Sequence, residues 1–557
     1  MGLQLSSVQN EIKTQYLIPE RIMLQKNAQN AEILLTEHPR QAFLGKMPVC
    51  TIKKGGSILL DFGCEFQGGA DIVVQAIKNG KAKLRVVFGE SASEALSTIG
   101  EKNATNDHSP RDFIVDVPDI SHITIGNTGY RFLKLEAKAG DISISSVQGV
   151  SRFRDLEYRG TFNCSDERLN EIWHVGARTV HLNMQEYLWD GIKRDRLVWV
   201  GDMHPEISTV SMVFGETDVV KKTLDFVRDN TSPDSFMNTF ASYSMWWLKI
   251  HRDLFWDSGD LKYLGEQKEY IKSLLKNILS HINDDGCCNI RDKFVEWSNK
   301  DAYDEETAFY AVLVMGLTAG SELLGILGGS DELAVRCTEA IERIKARNYV
   351  LFGNKQAAAM AGLCGLKDIK NVCSKIIRPG GAKGLSAFWG YYVLQALDEA
   401  GETEFALEVM RRYWGGMLDM GATTFWEDFD IDWAENAFRI DELPQEGKKD
   451  VHGDCGRFCY TKFRHSLCHG WASGPTSFLS RRILGVKPAE PGYKKIIIEP
   501  HLGSLDYAEG KIPTPHGVIA VHHEKTSDGV KTNICVPDGV EVVKNMLIYT
   551  RRKYEVH

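Results

Sequence analysis

Gly160-Thr-Phe-Asn-Cys-Ser165-Asp-Glu-Arg-Leu169-Asn-Glu-Ile172-Trp173 is where the character of the chain changes. Ser165 reads as an N-cap, and the acids Asp166 and Glu167 fall in the first turn, where they complement the helix dipole. Leu169, Ile172, Trp173, Gly176 and Val180 then recur at the spacing of an amphipathic helix. From here to about residue 480 helical patterns follow one another, most clearly over 243–257, 261–282, 303–327, 331–347, 386–400 and 403–414. Short Gly, Pro and Asp breaks separate them. About ten to twelve helices fit this span, and the lack of parallel-strand runs between them argues against an α/β barrel.

Upstream of that point the signals are those of strands. Ser57-Ile-Leu-Leu-Asp-Phe62, Ala70-Asp-Ile-Val-Val74, Leu84-Arg-Val-Val-Phe88 and Tyr130-Arg-Phe-Leu-Lys-Leu-Glu136 are short apolar or alternating runs between turn residues, the pattern of a β-sandwich. Strands return after Leu484-Gly-Val-Lys-Pro488, in Lys494–Pro500, Gly517–His523 and Glu541–Tyr549. The expected organisation is an N-terminal β-sandwich over 1–155, an all-α body over 156–482 and a C-terminal β-sandwich over 483–557. No self-similar repeat of 20–50 residues is visible.

Composition bounds the function. The 557 residues are 43% hydrophobic and 25% charged, ordinary for a globular chain, with a formal net charge of −9. No long basic run offsets that charge, which argues against nucleic acid as the main partner. The weakly polar stretch Ala311–Leu327 contains Glu322 and several glycines, so it reads as a buried helix without membrane insertion. Met1–Gln15 lacks the basic-then-apolar pattern of a signal peptide. Twelve cysteines, with Cys287 and Cys288 adjacent, do not look like a disulfide framework. A cytoplasmic location is expected, or a periplasmic or secreted one if a leader has been removed. The 12 Trp, 18 Tyr and 24 Phe are an excess, and many stand beside acids in mid-chain. Flat apolar faces next to carboxylates suit sugar rings, although most such residues simply fill cores.

Three runs could carry chemistry. The densest is Trp189-Asp190-Gly-Ile-Lys-Arg194-Asp195-Arg196-Leu-Val-Trp199-Val-Gly-Asp202-Met-His204-Pro-Glu206, three aspartates among basic and aromatic residues where a helical pattern is interrupted. A carboxyl buried beside aromatics has a raised pKa and can act as an acid, whereas a neighbouring arginine favours the ionised form. The second run is Gly421-Ala-Thr-Thr-Phe-Trp426-Glu427-Asp428-Phe-Asp430, with Trp433 close behind. Two carboxylates from distant parts of a chain, each near tryptophan, are what glycoside hydrolysis needs. The third is Cys455-Gly-Arg-Phe-Cys459 with His465, Cys468 and His469. Its Cys–His gap is cramped for a structural zinc site, so no metal is expected there; buried cysteines with surface histidines is the plain alternative, and His469 as a sugar-hydroxyl contact the other. Trp246-Trp247, Trp297 and Trp389-Gly-Tyr-Tyr392 have core spacing or lie near helix ends, where Trp247, Trp297 and Trp389 could form pocket walls. No phosphate loop, nucleophile elbow or His-Glu-x-x-His helix is present, and no cofactor is expected.

Taken in order, these stretches resemble the α-L-rhamnosidases of glycoside hydrolase family 78. Gly160–Trp173 is similar to the start of that family's helical domain. Arg194-Asp-Arg-Leu-Val-Trp199-Val-Gly-Asp202 resembles its Asp-Glu-Arg-x-Gly-Trp-x-Gly-Asp, and Ala422-Thr-Thr-Phe-Trp426-Glu427 its Ala-Thr-Thr-x-Trp-Glu. Ser466-Leu-Cys-His469, Gly485–Tyr493 and Lys511–Gly517 resemble further family stretches, so the likeness runs over most of the chain. The resemblance implies an (α/α)6 barrel flanked by β-sandwiches and an inverting, exo-acting hydrolase releasing terminal α-L-rhamnose or a related deoxy-sugar. It also implies Asp195 at the general-acid position and Glu427 at the general-base position. Asp190 and Asp202 match acids that hold sugar hydroxyls, Trp199 the pocket tryptophan and His469 the histidine beside the base. Asp195 stands where the family has Glu, Arg194 where it has Asp, and Val198 where it has Gly, which leaves Asp190, Asp202 or Glu206 as alternative acids. Other readings are a hydrolase or lyase for another sugar on the same scaffold, or a glycan-binding protein with a degenerate site.

Overall fold

The structure is a computed structural model that describes residues 12–300, 302–328, 332–543 and 549–550. The strands Ile12–Leu17, Arg21–Gln29, Cys50–Gly89, Asp112–Val117 and Ser121–Arg154 form one antiparallel network. The four apolar runs read from the sequence all fall inside its two longest strands. Those strands bend repeatedly: Gly68 pairs with both Thr128 and Ser151, and register shifts follow along Ala70–Val74. Extra residues at such shifts turn a strand without ending it. At Gly68 φ is +149° and a Cβ would stand 1.7 Å from the Val150 carbonyl oxygen, so only glycine fits. The core of this part, including Ile58, Leu60, Ile72, Val86 and Leu133, also takes in Leu182, Ile192 and Cys468 from the helical part.

The helical patterns are present close to their expected limits, as Ala241–Ser258, Leu261–Ser280, Glu305–Gly328, Glu332–Lys345, Gly390–Glu399 and Thr403–Asp419. One point of local chemistry differs. Asp166, not Ser165, caps the first long helix Glu167–Asn183, its carboxylate accepting from the Arg168 and Leu169 amides. Ser165 Oγ instead accepts from the Asp506 amide at 2.9 Å. Met203–Val213, Ala241–Ser258, Glu305–Gly328, Lys355–Leu363, Gly390–Glu399 and Gly474–Phe478 each pack on the next, and the last packs on the first. Glu305–Gly328 is long and apolar enough to cross a membrane by composition alone; here it lies within this inner set, with Ala308–Val314 buried. A helix buried on all sides has the same composition.

Towards the C-terminus, Tyr507–Thr514, Gly517–Thr526 and Gly529–Cys535 pair antiparallel. Thr161–Cys164, from the front of the helical span, adds to the edge of this sheet with Cys164 opposite Ala508. The chain entering the helical body is thereby stitched to the chain leaving it. Lys495–Ile498 pairs with Val486–Pro488 and Glu541–Val542. The strand expected over Glu541–Tyr549 is described only at its two ends; 544–548 lie outside the described residues. The described cysteines are thiols, with no disulfide among the described residues.

Candidate active site

The segment between the helices Glu167–Asn183 and Met203–Val213, residues 184–202, is irregular and folds back on itself. Leu197 N donates to Asp190 Oδ1 at 2.8 Å and Asp190 N to Leu197 O at 3.1 Å, closing a loop around Arg194 and Asp195. Inside it Asp195 and Arg196 adopt left-handed φ values of 55° and 53°. Gly191 pairs with His469, and a Cβ there would meet the Cys468 carbonyl at 2.9 Å. Gly201 lies flat under the Tyr243 ring, an approach a side chain would block, and Tyr243 thereby sets its hydroxyl 2.7 Å from Asp202 Oδ1.

The second run meets the first through Arg194. Its guanidinium donates to Asp195 Oδ1 at 2.6 Å and to Glu427 Oε1, and donates to the Arg464 carbonyl at 3.1 Å. Glu427 is strapped at its backbone: its amide donates to Ser466 O at 3.0 Å, and Trp471 Nε1 donates to its carbonyl at 2.8 Å. The Ser466 amide reaches its Oε2 at 3.2 Å. His469 Nε2 stands 3.6 Å from Asp190 Oδ2 and 3.7 Å from Glu427 Oε1. Burial, reinforced by Arg194, lowers its pKa to about 3, so its ring is neutral. Asp190 and Asp202 are buried, and desolvation pushes both carboxyls well above the usual carboxylate range; the charge of Asp195 acts in the same direction on each. A carboxyl in its protonated form can both donate to and accept from hydroxyls.

Rings in edge or tilted contact run round these acids in an unbroken chain: Trp199, Tyr243, Phe294, Trp297, Tyr460, Trp471 and His469. Trp199 and Trp297 remain partly exposed at its edge. The structure thus brings together Asp190, Arg194, Asp195, Trp199, Asp202, Glu427 and His469, with Trp297 on the wall.

Other expectations fail on packing. Trp247 is fully buried against His251 and Tyr270 and donates to the Leu224 carbonyl, so it lines core and not the site. Trp389 is likewise buried, edge-on to Trp246, Phe388 and Tyr392, one layer behind the wall. Indole is the largest side chain, and helix interiors claim it first. Glu206 is completely buried, takes a hydrogen bond from Asn183 Nδ2 at 3.2 Å, and has its carboxyl pushed well above the ordinary range by desolvation. Its carboxyl fills the space at Gly470, beneath the Asp190 backbone. The histidines of the third run are not at the surface: His465 and His469 are buried, and His465 Nε2 accepts from the Asp428 amide. Asp428 itself is gripped by Arg457 at 2.9 and 2.6 Å.

Sequence reading missed Tyr243, Glu296 and the β-rich part's contribution. Glu296 stands directly before Trp297, the same acid-beside-tryptophan signal that singled out Glu427. Burial drives its carboxyl up to about 7, against hydrogen bonds from Ser298 and Ser386. From the β-rich part, Glu90 accepts from the Leu467 amide at 2.8 Å, and the Lys193 ammonium sits 2.8 Å from Glu90 and 3.3 Å from Glu94. Lys193 also donates to Phe463 O and His465 O, so these acids fix both runs at once. Glu90, Glu94 and His452 are close enough together to hold a cation. The ammonium already serves that pair of carboxylates, and both nitrogens of His452 are engaged, with Ser91 Oγ at 2.8 Å and His465 O at 3.0 Å.

Comparison with known proteins gives this arrangement a family context. Among curated proteins, an alpha-L-rhamnosidase of Alteromonas sp. (strain LOR) is 25% identical over 536 residues, 86% of this chain and 55% of that protein. One from Streptomyces avermitilis is 21% identical over 73% of this chain and 40% of its own length. The chain spans about half the length of these curated relatives. Among solved structures, the family 78 rhamnosidase of Bacillus sp. GL1 superposes with a TM-score of 0.73 at 21% identity, over 93% of this chain and 56% of that one. The rhamnosidase from Klebsiella oxytoca with rhamnose bound gives 0.67 at 19%, over 84% and 96%. These likenesses establish a shared fold, a helical body accompanied by β-rich parts. Residues 157–347 match the family model of the bacterial alpha-L-rhamnosidase six-hairpin glycosidase domain, and 485–547 match that of the bacterial alpha-L-rhamnosidase C-terminal domain.

Proposed function

We propose that the chain is an inverting, exo-acting glycoside hydrolase that releases terminal α-L-rhamnose, or a related deoxy-sugar, from glycans or glycosides. The observation that carries this is the pair of carboxylates Asp195 and Glu427, from distant segments, held at one buried guanidinium inside a wall of aromatic rings. Leaving-group protonation belongs at the Asp195 end, which is the more exposed, and water activation at Glu427. Asp190, Asp202 and neutral His469 take the sugar hydroxyls, and Trp199 covers the apolar ring face. Arg194 sets the spacing of the two carboxylates.

The wider reading is an (α/α)6 barrel over 156–482, between β-sandwiches over 1–155 and 483–557, in a cytoplasmic protein whose partner is carbohydrate. The closed succession of six inner helices supports the barrel. A panel of p-nitrophenyl glycosides tests the substrate. Release from the α-L-rhamnoside is expected; release only from another glycoside makes this a hydrolase for a different sugar. Binding of L-rhamnose without turnover makes it a glycan-binding protein.

A further inference from the structure

His108 belongs to none of the sequence motifs and lies on the β-rich N-terminal part, yet its Nδ1 is 3.2 Å from Asp195 Oδ1. Its loop is tied down across the segment that carries Asp195. Arg464 pairs with Asp107 at 2.5 Å, Arg196 donates to Asn127 O at 2.7 Å and His108 O at 3.5 Å, and Ser109 Oγ donates to Asn127 O at 2.7 Å. His108 has φ of 63°, facing Asp195 and Arg196, which are also left-handed. Non-glycine residues held this way cost roughly 1–3 kcal/mol each and persist where the surroundings over-determine them, typically at functional sites.

Asp195 is poorly placed to give up a proton itself. Its Oδ1 accepts from Arg194 and its Oδ2 from Trp199 Nε1 at 3.2 Å. Neither guanidinium nor indole can accept a hydrogen bond, so both oxygens are committed as acceptors. His108 Nε2, in contrast, has no hydrogen-bond partner among the described residues, and its side chain is 36% exposed.

We propose, on the glycosidase reading above, that His108 is the general acid and Asp195 the residue that orients it. Nδ1 lies in ion-pair contact with Asp195 Oδ1, 3.2 Å away, the side from which a carboxylate orients the imidazole of a serine-hydrolase triad. The imidazolium passes its Nε2 proton to the glycosidic oxygen as the bond from that oxygen to the anomeric carbon breaks. Water forms the new bond to the anomeric carbon and gives its proton to Glu427. The alcohol leaves neutral, and His108 is left as neutral imidazole, to be reprotonated by solvent. The charged groups facing His108 are Asp195, with Arg194 behind it, and Arg196, Asp107 and Arg464.

The test is a leaving-group contrast on wild type, H108N and H108Q, with melting temperatures to confirm folding. A dinitrophenolate leaves without protonation, whereas an alkoxide does not. Both variants should lose about 10²–10⁴-fold in kcat/KM on methyl α-L-rhamnoside yet stay within about 10-fold of wild type on the 2,4-dinitrophenyl glycoside. The alkaline limb of the wild-type pH profile should also disappear. Equal losses on both substrates in a folded variant, or no loss on either, overturn the proposal. If wild type cleaves only another sugar, the rhamnoside reading falls and the same contrast is run on that glycoside. A wild type inert on every glycoside overturns both.

Discussion

Arg194 donates to Glu427 with both side chains almost wholly buried, 6% and 3% exposed. A buried pair of this kind contributes little net stability, but removing one charge strands the other, at about 3–5 kcal/mol. The arginine is therefore part of the fold of the site as well as its electrostatics. It keeps two like-charged carboxylates from distant segments at one place and leaves Glu427 Oε2 turned to the Ser466 amide.

Glu427→Gln keeps the shape of the side chain and an oxygen to accept from Arg194, but it cannot take a proton from water. Hydrolysis should fall by roughly 10²–10⁴-fold, with the melting temperature little changed. Steady-state kinetics check this. A variant retaining more than about half the wild-type rate places the base elsewhere, and the neighbouring Asp428 is then the next to substitute.

Lys193→Met removes the cation that serves Glu90 and Glu94, both fully buried. Glu94 keeps Arg111 Nε at 3.4 Å, so the stranding falls on Glu90 and should cost about 3–5 kcal/mol, read from urea unfolding. Because Lys193 and Glu90 also hold the 463–467 backbone, activity should fall with stability. A loss under about 1 kcal/mol would contradict this reading of the cluster.

Glu296 yields a pH prediction. Its carboxyl is raised from 4.5 to about 7, so the folded state binds this proton more tightly than the unfolded chain does. Its contribution to stability is complete below about pH 4.5 and is lost as pH rises through about 7. Glu296→Gln cannot ionise and should match wild type near pH 4.5 while exceeding it by on the order of 3 kcal/mol at about pH 8. Melting temperatures across pH decide the matter, and a pH-independent difference would contradict it.

Much of this was legible in the sequence because periodicity reports burial. The 303–327 pattern became Glu305–Gly328. Asp190, Arg194, Asp195, Trp199 and Asp202 sit within one short loop, so proximity in sequence translated into proximity in space. Glu427 was reachable through its neighbouring tryptophan, and the same signal at Glu296-Trp297 was passed over. Trp247 and Trp389 misled because spacing shows that a tryptophan is buried, not what it is buried against. His108 was invisible: its contact with Asp195 spans two parts of the chain, and nothing in a loop between strands marks which residue will face a distant site.

On the proposed reading, a carboxylate at Glu427 activates water on the face opposite a leaving group protonated at the Asp195 end. Proton NMR of aryl α-L-rhamnoside turnover, recorded before mutarotation, tests it most directly. Inverting enzymes hold their carboxyl groups roughly 6.5–9.5 Å apart to admit that water, against about 5–5.5 Å in retaining ones. Here the Arg194 guanidinium stands between the two groups. β-L-Rhamnose is expected as the first sugar seen, with the α-anomer growing in later. The α-anomer appearing first, or no rhamnose released at all, would contradict it.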